Sequence, residues 1–468
     1  MEAGAAPTPS PHKTASAGGR QAWNTTWLLL VFMLVNFADK AVLGLAGPEI
    51  MKEFDLTRQE FGTAQAAFFS LFSLSALGVS FLTRKVRTSV LLLAMGLLWS
   101  ATQLPMVWGA AGFGTLIVTR VLLGFAEGPA APVAVHHVHG WFVQRERTLP
   151  TAILMVGAAA GVAVAAPTLG LVISRFGWRW AFGVAGLAGL AWAVAWAVKG
   201  KEGPLAPPVG RGAVGRGADA ADGSGEVDGG KVADGGVVDG SEVAEVPLRR
   251  IFLSGTFVTA ALGAFAAYWV MGAKLTWLPD YLRTVVGWDL GQASAAVGGG
   301  AVANGVVLLA HGLLARRAAL RPGGARLPDG VGGGLLLVAS AVAVTVFATV
   351  DTLWIKIPMM FGPMAVALVM LTVAQTAIAR ITPPSQRGVA LGALVAVFAL
   401  GGIVSPLVLG RIVDGAATAT AGYQHGWLVT ATLLLVTGVL AALFMRPERD
   451  ARRFGVPESP TAGVPVAH

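Results

Sequence analysis

The stretch Thr119–Arg147 reads TRVLLGFAEGPAAPVAVHHVHGWFVQRER. It opens inside a long apolar run that carries Arg120 and Glu127, seven residues apart. On a helix, seven residues rise about 10 Å. Seven steps of about 100° return almost to the starting direction, so both side chains share one face. An ionisable residue at the centre of a bilayer costs roughly 2.5–3.5 kcal/mol on insertion scales. An acid and a base on one face of an apolar helix therefore mark a route lined by protein or water, or an ion pair between helices.

Working outward, the whole chain shares this apolar character. Of 468 residues, 55% are hydrophobic and 13% charged, and the mean hydropathy is +0.68. A soluble protein carries about a quarter charged residues, so the chain reads as a polytopic membrane protein. It has no cysteine, which excludes disulfides and thiolate chemistry. The net charge of +9 fits the Lys and Arg excess of cytoplasmic loops better than a nucleic-acid binder. The 62 glycines suit closely packed membrane helices and one flexible linker.

Twelve apolar segments have spanning length, about 20 residues each. They lie near 24–47, 61–82, 89–109, 112–136, 148–172, 178–198, 250–273, 291–315, 331–350, 354–379, 387–410 and 426–445. The expected fold is all-α: twelve transmembrane helices in two six-helix bundles, 23–198 and 249–446. Between them, 199–248 is Gly/Asp/Val-rich with too few large apolar residues to fold, and is expected to be a flexible cytoplasmic linker. Residues 1–22 are expected to be a disordered cytoplasmic tail and not a cleavable signal, because the apolar run after them is too long. Residues 447–468 form the second tail. With both termini in the cytoplasm, 24 of the 34 Lys and Arg residues fall in cytoplasmic segments and six in outer loops. That asymmetry sets the orientation and places the protein in a plasma or inner membrane.

Four motifs then point to a family. In span 1, Asn36-Phe37-Ala38-Asp39-Lys40 resembles N-Y-x-D-R. In span 4 and the loop after it, Arg120 to Glu127, with Gly140-Trp141-Phe142 and Arg145-Glu146-Arg147, resembles R-x-L-L-G-x-x-E and N-W-F-P-x-x-E-R. Phe176-Gly177-Trp178-Arg179-Trp180-Ala181-Phe182 resembles F-G-W-R-W-x-F. After span 7, Thr276-Trp277-Leu278-Pro279-Asp280-Tyr281-Leu282 resembles T-W-L-P-x-Y-L. Together they resemble the anion:cation symporters of the major facilitator superfamily, over nearly all the chain except tails and linker. Two departures touch the cytoplasmic latch of that superfamily. The loop after span 2 keeps Arg84 but has Thr83 and Val86 where Asp and Gly are expected, and Arg316 stands where the second half would carry an Asp.

The resemblance implies a proton-coupled symporter of an organic anion, working by alternating access. It implies Arg120 and Lys40 as substrate cations and Asp39 and Glu127 as proton carriers. Lys40 replaces an Arg and cannot make the planar two-pronged contact to a carboxylate, so Arg120 is the expected anchor. Substrate reaching Arg120 would draw that cation from Glu127, and the proton affinity of a carboxylate depends on the cation beside it. Proton and anion binding are then coupled reciprocally. Arg84, Trp141, Phe142, Arg145, Arg147, Trp277 and Pro279 are the motif positions expected to serve gating. Gln375, with Thr372 and Thr376, adds polarity to span 10 and is a further substrate contact or a helix–helix hydrogen bond.

The remaining candidates carry less. His136, His137 and His139 cluster at the end of span 4 without a completing acid or thiol, which reads as a solvated helix end before a metal site. Asn304 and His311 read as packing polarity. Trp277-Leu278-Pro279 reads as an interfacial turn with an aromatic anchor, and Gly157–Gly161 as a packing seam. No nucleophile set, metal-ligand spacing, phosphate loop or cofactor fingerprint appears, so an enzyme is not expected. The expected partners are a small organic anion, protons and the bilayer, with no nucleic acid, and the chain is expected to be a monomer. Alternatives on the same fold are a metabolite or drug exporter, or a transporter-derived sensor. By the resemblance, sugar-acid carriers line the cavity with Tyr, Gln and Asn. Here Phe72, Ala158 and the region of Val395 offer none, which predicts a less hydroxylated anion.

Overall fold

The computed structural model describes residues 19–83, 85–206, 246–320, 329–383 and 385–456, and among them every regular element is helical. Eleven helices are long and apolar enough to cross a membrane: Arg20–Leu45 (span 1), Thr88–Val107 (3), Phe113–His139 (4), Thr148–Phe176 (5), Trp178–Lys199 (6), Gly255–Thr284 (7), Leu290–Ala315 (8), Asp329–Thr349 (9), Leu353–Ile381 (10), Arg387–Asp414 (11) and Ala419–Phe444 (12). The 25-residue helix Arg58–Leu82 occupies the place of span 2. Helices are the economical solution here because lipid offers no partner to a backbone N–H or C=O. Their outward stripes are apolar; on span 8, Val302, Val306, Leu309 and Leu313 recur at helical spacing and are exposed.

Spans 1–6 form one bundle and spans 7–12 the other, in contact along spans 2 and 11 and along spans 5 and 8. Small residues make the close crossings. A methyl on Gly157 or Gly161 would press on the carbonyl oxygens of Leu30 and Leu34 in span 1, so the run Gly157–Gly161 is the seam expected of it. Spans 4 and 10 are both interrupted at a Gly-Pro pair. Span 4 breaks between Glu127 and Ala130, at Gly128-Pro129. Span 10 breaks after Phe361, at Gly362-Pro363, and continues as a 3-10 turn. Proline supplies no N–H to the ladder and crowds the preceding turn.

Span 7 corrects the reading of Trp277 and Pro279. The helix was expected to end near 273 with an interfacial turn after it, but it runs on to Thr284 with Pro279 inside it. Its start is fixed by Ser254, whose hydroxyl accepts from the Phe257 amide at 3.1 Å. Trp277 is fully buried. Its Nε1 donates to the Pro406 carbonyl of span 11 at 3.0 Å, and its ring meets Phe61 of span 2 edge-on. Pro279 cannot donate to the Leu275 carbonyl one turn earlier, and that carbonyl faces Gly44 of span 1 at the closest crossing of spans 1 and 7.

The start of the expected linker is also packed. Leu205 donates its amide to the Gly140 carbonyl at 2.9 Å, and Gly203 lies against the Gly140 backbone. Residues 207–245, the rest of the expected linker, lie outside the described residues, as do both tails beyond 19 and 456.

Candidate functional site

Span 1 and span 4 bring the four sequence-picked charges together in one buried cluster. Asp39, Lys40, Arg120 and Glu127 are each between 1% and 6% exposed. Glu127 ends the first half of span 4, and the break after it leaves its side chain directed at span 1. Lys40 pairs with Glu127 in a fully buried ion pair. The same ammonium donates to the Asn36 side chain at 3.0 Å and the Asn36 carbonyl at 3.2 Å. Three donors thus have three acceptors. Phe37, Phe68 and Phe72 surround the ammonium, the nearest ring centre 4.5 Å away. Phe72, expected to stand where a hydroxylated ring would otherwise be, is therefore part of an aromatic wall around the pair.

Arg120 lies elsewhere on the same helix face. Its guanidinium donates to Gln103 of span 3 at 2.5 Å and stacks over Phe182 of span 6 at 5.1 Å. Arg120 and Glu127 therefore make no direct ion pair, although each lies in the other's field. Seven residues of rise carry the two side chains to different neighbours, and Lys40 holds the acid. Asp39 lies among Glu127, Arg120, Gln103 and Lys40, and neither of its carboxylate oxygens accepts a hydrogen bond among the described residues.

Gln375, Thr372 and Thr376 share the exposed face of the second half of span 10, opposite the buried stripe of Met370, Ala374, Ala377 and Ile378. A polar face on a membrane helix belongs to a wet cavity before a lipid surface. Of the other motif residues, Trp141 and Phe142 are buried, Phe142 packs edge-on against Trp23, and Arg147 donates to the Phe142 carbonyl at 3.1 Å. Arg84 lies outside the described residues, and the side chains of Arg145 and Arg316 are likewise not described.

Two polar assemblies were not anticipated. At the face remote from the termini, Arg58 of span 2 donates to Asp280 of span 7 at 2.9 Å, and Tyr423 of span 12 donates to the same carboxylate. Asp414 accepts from the Arg58 and Gln59 amides at 3.2 and 2.7 Å, and Arg283 pairs with Glu49. These bonds tie one bundle to the other at that face. The sequence offered Asp280 only as a motif position; its side-chain partners come from two other helices.

At the opposite face, a cavity of about 840 Å3 lies among Arg87, Thr88, His136, Lys201 and Glu202. Glu202 caps span 3, accepting from the Ser89 amide at 2.7 Å and from Thr88. His137 is buried against Trp196 and shares Thr88 at 2.7 Å. It is not the solvated helix end expected, because the segment after span 6 folds over it. His136 is exposed and His139 reaches Thr151 at 2.8 Å. Among the described residues no three His, Asp or Glu side chains converge on a metal position.

The family model of the Major Facilitator Superfamily matches residues 28–370. The chain belongs to that superfamily. Its fold agrees with solved superfamily members. A bacterial homolog of the human lysosomal transporter Spinster, inward-facing and unoccupied, superposes with a TM-score of 0.70 over 94% of this chain and 99% of that one, at 17% identity. The D-xylose-proton symporter superposes with a TM-score of 0.69 over 92% of this chain and 99% of that one, at 12% identity. Among curated relatives, a probable sulfoacetate transporter of Cupriavidus necator is 26% identical over 90% of this chain and 93% of its own. The hexuronate transporter of Bacillus subtilis is 25% identical over 58% and 63%. The D-galactonate transporter of Escherichia coli is 28% identical over 39% and 42%. This major facilitator chain is thus a multi-pass membrane transporter and not an enzyme.

Proposed function

We propose that this major facilitator transporter carries a small, sparsely hydroxylated organic anion together with a proton. The observation that carries the reading is the buried Lys40–Glu127 pair within its aromatic wall. All three ammonium protons are engaged, so an anion gains Lys40 only when Glu127 gives it up. A proton on Glu127 weakens its hold on the ammonium. Proton first, anion second, is then the favourable order, and the coupling is reciprocal. Asp39 is the second proton carrier, its carboxylate lacking hydrogen bonds that would hold the ionised form. Arg120, fixed by Gln103 and Phe182, supplies positive potential to the cluster. Gln375 serves as a polar contact from the other bundle.

The apolar wall supports the choice of anion. A hydroxyl left without a partner there costs on the order of 1–3 kcal/mol, whereas apolar surface gains roughly 25 cal/mol per Å2. The relative matched over nearly its whole length is named for sulfoacetate, a two-carbon acid without hydroxyls. The sugar-acid carriers match shorter stretches. Both termini lie in the cytoplasm of a plasma or inner membrane, so the closed face held by Arg58, Asp280 and Tyr423 is the outer one. The monomer suffices, since both bundles belong to one chain.

The test is uptake into proteoliposomes of the purified transporter under an imposed pH gradient. Small sulfonates and carboxylates should accumulate with the gradient and outcompete galactonate-like acids. Stronger competition by the hydroxylated acids sinks the substrate reading. Accumulation indifferent to pH sinks the proton.

A further inference from the structure

The second bundle holds a cation that the proposed site does not use. Lys274 lies in span 7, a helix most of whose residues are buried. Along its middle, Met271, Lys274 and Leu275 are the partly exposed positions between buried neighbours. Leu275 places its carbonyl against Gly44 of span 1, so this stripe fronts the space between the bundles. The Lys274 ammonium has one hydrogen bond, to the Met360 carbonyl at 3.5 Å beside the Gly362-Pro363 break of span 10. It has no anionic partner among the described residues. The other lysine of this bundle, Lys356, is enclosed. It donates to the Tyr281 hydroxyl at 2.9 Å and sits over the Tyr281 and Phe347 rings. Asp280, the acid nearest in sequence to Lys274, is taken by Arg58 and Tyr423.

The two bundles repeat one arrangement with one difference. In the first, a lysine on the leading helix faces the broken fourth helix and meets a carboxylate there. In the second, Lys274 on the leading helix faces the broken fourth helix and meets only a carbonyl. Because Leu275 is level with Gly44, and Lys40 is one turn below Gly44, the two lysines differ in depth by about one helical turn. A partly exposed cation without a counter-charge, on the stripe that fronts the space between the bundles, is placed to take an anion.

We propose that Lys274 is the anchor for a second acidic group, and that the transporter is built for small organic acids bearing two, such as a carboxylate and a sulfonate. This rests on the anion-transport reading above and deepens it. One acid group meets the Lys40 cluster of the first bundle and the other meets Lys274 of the second. A two-headed anion thus bridges the bundles and draws them together, which a single acid group cannot do.

The experiment is competition against sulfoacetate uptake in proteoliposomes by matched pairs, sulfoacetate against methanesulfonate and succinate against butyrate, in wild type, Lys274→Met and Lys274→Arg. A hydrogen bond to a charged group is worth enough to predict a preference of roughly tenfold or more for the two-acid member in wild type. Lys274→Met, which keeps the stem and removes the charge, should collapse that ratio towards one, and Lys274→Arg should restore most of it. A wild-type ratio near one, with the single acids still carried, overturns this inference and leaves the anion reading standing. So does an undiminished ratio in Lys274→Met. Absence of uptake of every acid in wild type overturns both. Thermal unfolding of each variant in detergent separates a collapsed ratio from a collapsed fold.

Discussion

Lys40 and Glu127 show how little freedom a buried pair leaves. Removing one partner strands the other charge away from water, at a cost of about 3–5 kcal/mol. Lys40→Met should therefore lower the unfolding temperature in detergent, and adding Glu127→Gln should recover most of the loss, although transport stays absent. No recovery in the double variant would refute the pairing. Glu127→Gln alone should keep counterflow exchange of the substrate and lose accumulation driven by a pH gradient. Full gradient-driven accumulation would move the coupling role to Asp39. Arg120→Ala is expected to weaken binding strongly by removing positive potential from the cluster, and Arg120→Lys should restore it only in part. A lysine cannot both reach Gln103 and stack on Phe182 as the planar guanidinium does. These four charges were legible in the sequence because each is expensive in an apolar run. Their pairing was not, because residues seven apart on one helix face reach different neighbouring helices.

Among the elements, spans 4 and 10 are each interrupted at a Gly-Pro pair, and spans 1 and 7 cross where Gly44 meets the Leu275 carbonyl. The contact lies towards the face tied by Arg58, Asp280 and Tyr423, which is closed in this structure. Gly44→Val would collide with the carbonyl there and is expected to favour the conformer opened at that face. A cysteine at Gly415 with a small thiol reagent reads the change: labelling should quicken several-fold, and unchanged labelling would remove Gly44 from the closure. The segment after span 6 is a second element-scale device. Burial pushes the Glu202 carboxyl up, but the Ser89 amide, His137 and Thr88 outweigh it and hold it below the ordinary value of 4.5. A depressed acid contributes its docking above that ordinary value and loses it as pH falls through the lowered one. Amide exchange of Ser89 and Leu205 should stay protected down to pH 4.5 and fade only below it. Fading at higher pH would exclude Glu202 as the clasp. His137 is buried against the expectation of a solvated helix end, because nothing in its own helix announces that residues 200–206 return to cover it.

At the scale of the whole molecule, the face tied by Arg58, Asp280, Tyr423, Asp414, Glu49 and Arg283 is shut. Opposite conformers of an alternating-access transporter differ by a few kcal/mol. Loss of one charged bond of about 1.5–3 kcal/mol is therefore enough to shift their balance. Asp280→Asn should raise labelling at Gly415 and slow net transport, and a variant that labels and transports like wild type would exclude this network as a gate. Labelling from opposite sides of the membrane at Gly210 and Gly415, with Gly210 cytoplasmic, checks the orientation. Deleting 207–245, the rest of the expected linker, should leave transport largely intact, because loop-closure entropy changes only slowly with length. The deletion must spare 200–206, which are packed on Gly140.

Composition and periodicity alone set out twelve spanning segments, divided six and six, and singled out the four charged residues that the fold buries in one cluster. An apolar run of about 20 residues has no other stable state in a bilayer, and the cost of each intramembrane charge makes it conspicuous. Only the tertiary structure decided who holds whom. It gave Glu127 to Lys40, Arg120 to Gln103 and Asp280 to Arg58, it buried Trp277 inside a continued helix, and among the described residues it left Lys274 without an acid. Pairing between helices depends on the rotation and depth at which they cross. Those are set by contacts such as Gly44 on Leu275 and Gly161 on Leu34, formed between residues far apart in the chain, and no local pattern encodes them.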